Sequence, residues 1–144
     1  MERSEQQMTP RVSEYMRPEP PTVPYEGRLK DALMVMIDRD STSVLVMDGE
    51  DVVGVIGVDD IARLAAKGID LSAAWVKDFV AACMLTGNQP CVQIREDDTV
   101  LNALRIMDNW TASQIVVVNE KNKVVGTISA LDALKGWSKE VYAP

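Results

Sequence analysis

The sequence predicts an α/β (α+β) protein of two pseudo-two-fold related β-α-β-β-α repeats packed sheet to sheet. Three observations predict it: an amphipathic helical pattern that occurs twice about 71 residues apart, a β-branched strand pair after each copy, and a glycine at the same place in each returning strand. A unit with three short strands cannot cover its own sheet, so two copies face to face is the arrangement that buries both.

The elements follow in order. Each copy opens with a similar lead, Val12-Ser13-Glu14-Tyr15-Met16 in the first and Val76-Lys77-Asp78-Phe79-Val80 in the second. A short strand comes next, Pro21-Thr22-Val23 or Val92-Gln93-Ile94. The segment from Leu29 to Met36 then lines up with that from Val100 to Met107, apolar residues recurring on one helical face. Strands Val44-Leu45-Val46-Met47 and Ile115-Val116-Val117-Val118 enter hairpins at Asp48-Gly49 and Asn119-Glu120. They return through Val52 to Ile56 and Lys123 to Ile128, with Gly54 and Gly126 in matching places, and each leads into a second helix near Asp60 or Asp132. The second copy carries about seven extra residues around Ala82 to Pro90, where a loop tolerates them. The repeats are thus 12–70 and 71–137, with a flexible N-terminal tail at 1–11 and a C-terminal tail at 138–144.

Composition excludes several function classes. Among 144 residues there is no histidine and there are only two cysteines, Cys83 and Cys91, so no metal set is expected and both thiols are read as free. A net charge of −7 repels a phosphate backbone, which makes nucleic acid a poor partner. No apolar run reaches the ~18 residues that a membrane span needs. The polar stretch Met1 to Pro10 lacks the apolar segment of a secretory signal, so a cytoplasmic protein without membrane insertion is expected. An enzyme is not expected, because a catalyst needs titratable groups converging in a pocket, and the chain offers no histidine, no glycine-flanked serine nucleophile and no plausible metal set.

The chemistry that remains lies at Gly126 to Asp132, where a strand ends and a helix begins with its unpaired backbone N–H groups outward. Such an end attracts an anion. The Ser129 hydroxyl can donate to a phosphate, and Asp132, one turn on, can accept from ribose hydroxyls. Helix capping explains the same two residues without a ligand: Ser129 as N-cap and Asp132 at N3 form a near capping box. In the first copy Gly57 stands at the hydroxyl position, so an anion there would rely on backbone donors, with Asp60 left for a ribose. Asp97-Asp98 ahead of Thr99 reads as helix-capping acid, and Met34, Met36, Met47 and Met107 as core filler.

With these residues in view, the chain resembles the CBS domain family, in the tandem arrangement called a Bateman module. The signatures are Gly54-Val55-Ile56-Gly57-Val58-Asp59-Asp60 and Gly126-Thr127-Ile128-Ser129-Ala130-Leu131-Asp132; the second has the family's hydroxyl residue, whereas the first has Gly57 in its place. The resemblance implies a non-catalytic regulatory module that binds AMP, ATP or a related adenosine ligand in the cleft between the repeats, with no cofactor required. It places the adenine against Pro21, Thr22, Val23, Thr42 and Ser43, opposite Gly126, Ser129 and Asp132. A second, weaker site would use Gly57, Asp60, Val92, Gln93 and Ser113. Arg17, Arg28, Arg39 and Lys121 are candidates for reaching phosphates. The resemblance also implies a homodimer and an effector protein. Trp75 and Trp137 fall near the helices that would join two modules, where they are either interface anchors or core. The alternative is a ligand-free dimerising scaffold.

Overall fold

The structure, a computed structural model, describes residues 10–79, 92–112 and 114–142. Its residues fall into two compact units, one within Pro20–Cys91 and the other formed by Met1–Glu19 together with Val92–Pro144. In chain order the elements are α1 (Val12–Tyr15), β1 (Arg17–Pro18), β2 (Thr22–Pro24), α2 (Leu29–Arg39), β3 (Ser43–Asp48), β4 (Asp51–Gly57), α3 (Val58–Ala66), α4 (Val76–Phe79), β5 (Gln93–Arg95), α5 (Val100–Trp110), β6 (Gln114–Val118), β7 (Val124–Ser129) and α6 (Ala130–Tyr142).

The contiguous unit holds a three-stranded sheet in the order β2-β3-β4, and the two-part unit a four-stranded sheet in the order β1-β7-β6-β5. In each, a strand that precedes the long helix runs parallel to the one after it, β2 with β3 and β5 with β6, and the hairpin return is antiparallel. The helix between parallel strands covers one face, as a βαβ crossover requires. The α2 helix buries Leu29, Ala32 and Met36, and α5 buries Val100, Ala103 and Met107, the same spacing on both. At the α5 N-terminus the Thr99 hydroxyl accepts from the Asn102 amide at 3.1 Å. One Asp98 oxygen accepts from the Thr99 amide at 2.7 Å and the other from the Asn102 side chain at 2.8 Å, so Asp98 is a capping acid. Asp97 instead pairs with Arg95 at 3.1 Å. In the turn before α4, hydrogen bonds from the Ser72 hydroxyl and amide hold the Asp70 carboxyl below its usual range.

The two cores repeat each other residue for residue. Val23, Leu29, Ala32, Met36, Val44, Val46, Ile56 and Ile61 in one cluster correspond to Ile94, Val100, Ala103, Met107, Ile115, Val117, Ile128 and Ala133 in the other. Burying each Val, Leu, Ile or Met among them is worth ~1.5–3 kcal/mol, so both halves draw stability from the same pattern.

The leads are exchanged between halves. Val12 is fully buried in the core built from 92–142, and Val76 in the core built from 20–66. Backbone bonds tie each lead to the start of the long helix it serves: Val12 N–H to Asp98 O at 2.8 Å and Val100 N–H to Pro10 O at 2.9 Å, against Val76 N–H to Gly27 O at 2.8 Å and Leu29 N–H to Ala74 O at 3.0 Å. Compactness therefore divides the chain differently from the sequence repeats at 12–70 and 71–137.

Four expectations change. Arg11, placed in the flexible tail, bridges to Thr99. Ser138 to Tyr142, placed in the C-terminal tail, continue α6. Met34 is 52% exposed rather than core, because it lies on the outer face of α2. A fourth strand, Arg17–Pro18, joins one sheet by pairing with β7. The extra residues around Ala82 to Pro90, with Cys83, lie outside the described residues.

Candidate functional site

Within each unit, the sheet brings the candidate residues to one end. In the contiguous unit, Ser43 at the start of β3 pairs with Gly57 at the end of β4. Beside them Thr22 opens β2, and the Pro21 carbonyl accepts from the Leu45 amide at 2.9 Å. The Thr42 carbonyl accepts from the Val58 amide at 2.8 Å, closing the entry to α3. In the two-part unit Gln114 pairs with Ser129 and Gln93 with Val116, and the Val92 carbonyl accepts from the Val116 amide at 3.2 Å. Thr22, Thr42 and Gln93 are exposed, whereas Pro21 and Ser43 are buried. Val23 is 2% exposed, so its side chain belongs to the core and only its backbone can face a ligand. Ser113 lies outside the described residues.

The turn from β7 into α6 is a reciprocal capping box. The Ser129 amide donates to Asp132 Oδ2 at 3.0 Å, and the Asp132 amide donates to Ser129 Oγ at 3.1 Å. Both side chains are half-buried. Among the described residues the second Asp132 oxygen, Oδ1, meets no donor, so the box leaves an acceptor and the Ser129 hydroxyl proton for something else. Gly126 is held by close approach: a Cβ there would stand 2.5 Å from the Arg17 carbonyl oxygen of β1.

The turn from β4 into α3 is built differently. The Gly57 amide donates to Asp60 Oδ2 at 3.1 Å, but no hydroxyl answers it, and Arg63 pairs with Asp60 Oδ1 at 2.6 Å. Both carboxylate oxygens of Asp60 are thus engaged, and Lys135 stands at the place in α6 that Arg63 holds in α3. Gly57→Ser is expected to supply the missing cap. Its Cβ would crowd the Asp59 carboxylate at 2.6 Å, the far end of an exposed side chain that can turn away, and would meet Asp60 Oδ2 at an ordinary 3.6 Å. Glycine is already a fair N-cap, so the gain is a few tenths of a kcal/mol, read as a rise of roughly 1 °C in melting temperature. A fall of several degrees would show that the turn has no room for the side chain.

Of the cations considered for phosphate, Arg28 is committed elsewhere: its guanidinium stacks 3.4 Å from the Trp75 ring centroid and donates to the Ala73 carbonyl at 2.9 Å. Lys121 lines a surface depression of about 500 Å³ with Ser13, Arg95, Glu96, Asp97, Asn119 and Glu120, at the hairpin end of its sheet and away from Ser129. Trp75 and Trp137 are half-buried; Trp75 lies under Arg28 and Trp137 packs on the core. Trp110, by contrast, is 67% exposed. Among the described residues no His, Cys, Asp and Glu cluster could hold a metal ion, and no helix is long and apolar enough to cross a membrane.

Comparison with known proteins agrees with this architecture. The family model described as CBS domain matches residues 12–67 and 76–139. An uncharacterised protein of Methanocaldococcus jannaschii is 29% identical over 107 residues, covering 74% of this chain and 32% of the relative, so the chain spans about a third of that protein's length. Two solved structures share the fold. A CBS domain protein of Pyrobaculum aerophilum complexed with AMP has a TM-score of 0.70 at 20% identity, covering 85% of this chain and 88% of that one. The CBS domain pair of protein MJ0100, in complex with 5'-methylthioadenosine and S-adenosyl-L-methionine, has a TM-score of 0.73 at 18% identity, covering 92% and 98%.

Proposed function

Because the chain belongs to the CBS domain family as a tandem pair, we propose that it is a regulatory module that binds an adenosine-type nucleotide and does not catalyse a reaction. The observation that carries the reading is the Ser129–Asp132 turn, with a helix N-terminus, a hydroxyl proton and an unengaged carboxylate oxygen at one place. Together they suit a phosphate and a ribose. The AMP and the adenosyl ligands named for the two solved structures support this ligand class. We carry Pro21, Thr22, Val23, Thr42 and Ser43 as the adenine-facing residues on the resemblance. The weaker site, with Gly57, Asp60, Val92, Gln93 and Ser113, is the poorer one because Arg63 competes for Asp60.

Binding acts by differential affinity for two arrangements of the module, within a coupling of ~1–3 kcal/mol. We further propose a cytoplasmic homodimer that signals to an effector protein. The outer side of α6, where Leu131 is 63% and Val141 51% exposed, supports a second copy as partner.

Calorimetric titration with AMP tests the reading. It expects saturable binding with close to one strong site per chain. Two sites of equal strength would overturn the ranking of the two turns. Absence of binding, together with a dimer in sedimentation, would favour the ligand-free dimerising scaffold, to which the Asp60–Arg63 pair and the apolar side of α6 also point.

A further inference from the structure

We propose that the N-terminal lead, Pro10 to Pro18, is a clamp that fixes the Ser129–Asp132 turn, with Tyr15 as its positioning residue. The lead grips the elements on both sides of that turn. On the strand side, β1 runs antiparallel to β7, Arg17 opposite Thr127 and Pro18 opposite Gly126, so it holds the strand that ends in Ser129. On the helix side, the Tyr15 ring lies against Gly136 of α6, its nearest carbons 2.9 Å from where a Cβ would stand. Gly136 follows Asp132 by one helical turn and lies on the same side of the helix. The Lys139 ammonium, 5.5 Å from the Tyr15 ring centroid, adds a cation–π contact from the next turn.

The lead is itself anchored. Val12 is fully buried, Ser13 N–H donates to Glu96 O at 2.9 Å, and Arg11 bridges to Thr99. A lead fixed at one end thus reaches both the strand and the helix that the turn joins. The two bonds of the capping box span only three residues and depend on how α6 leaves β7. Without the ring on Gly136, the helix is free to roll on the core, and both bonds lengthen together. Tyr15 acts through the turn; its ring lies against Gly136 and faces the Lys139 ammonium.

The second lead provides a control. Phe79 holds the place of Tyr15 there and packs on the core of the other unit. Its truncation removes a ring of similar size from the protein, but not the ring that lies against α6.

The consequence for ligand rests on the nucleotide reading above; the clamp itself does not. The experiment therefore measures hydrogen exchange of the Ser129 and Asp132 amides in ligand-free protein and AMP affinity alongside, in the parent, Tyr15→Ala, Tyr15→Phe and Phe79→Ala. Tyr15→Ala is expected to lower protection of both amides at least tenfold and to weaken AMP at least fivefold. Tyr15→Phe, which keeps the ring, restores both. Phe79→Ala lowers the melting temperature but leaves those two amides as in the parent. If Tyr15→Ala does not fold, Tyr15→Leu is read in the same way. Unchanged protection in the Tyr15 variant, or an equal loss in Phe79→Ala, overturns the clamp. Loosened amides in a protein that binds no AMP uphold the clamp and overturn AMP as the ligand of this turn.

Discussion

Gly126→Val is expected to destabilise the protein by roughly 2–3 kcal/mol, the cost of forcing volume into a packed site. The substituent would stand 2.5 Å from the Arg17 carbonyl oxygen and 3.0 Å from the Met16 sulfur. The first of these is backbone and cannot swing aside, so either β1 leaves the sheet edge or β7 shifts against β6. For a chain of this size the loss reads as a fall of roughly 6–10 °C in melting temperature. A fall below about 2 °C would mean that β1 is not seated on β7 in solution. The equivalent glycine of the other half, Gly54, is buried in β4.

Asp132→Asn separates capping from ligand contact. The amide oxygen of asparagine can still accept from the Ser129 N–H, so the cap is expected to hold and stability to stay within about 0.5 kcal/mol of the parent. Its nitrogen cannot accept, and the charge is gone. A ribose offering two hydroxyls then loses one charge-assisted partner, which at ~1.5–3 kcal/mol weakens AMP at least tenfold. Equal AMP affinity in parent and variant would reduce Asp132 to a capping residue. A large stability loss with little change in affinity would lead to the same conclusion.

Much of this architecture was legible in the chain because the repeat offered two readings of every element. The spacing of Leu29, Ala32 and Met36 recurs at Val100, Ala103 and Met107, and each set faces a core. What could not be read is which half each lead joins. Val12 and Val76 present the same apolar start to either core, and only long-range backbone bonds such as Val12 to Asp98 settle the exchange. Strand β1 has no sequence signal, since two residues, the second a proline, carry no alternation. Met34 differs from expectation because a methionine inside an apolar run says nothing of which side it faces until the helix is docked. At the candidate site, the glycine-to-aspartate spacing announced the Ser129–Asp132 turn. The loss of Asp60 to Arg63 was hidden, since an aspartate three residues before an arginine is ordinary on any exposed helix. Arg28 likewise looked like a phosphate ligand until its stacking on Trp75 appeared.

Whether this tandem pair senses an adenosine compound is decided by thermal melting of the pure protein with AMP, ADP, ATP, S-adenosylmethionine or NAD. A ligand that binds only the native state adds about 2.7 kcal/mol at a hundredfold excess over its Kd. The expected result is a rise of several degrees with at least one of the five, lost in Asp132→Asn. Superimposable melting curves with all five, at millimolar concentration, would contradict it.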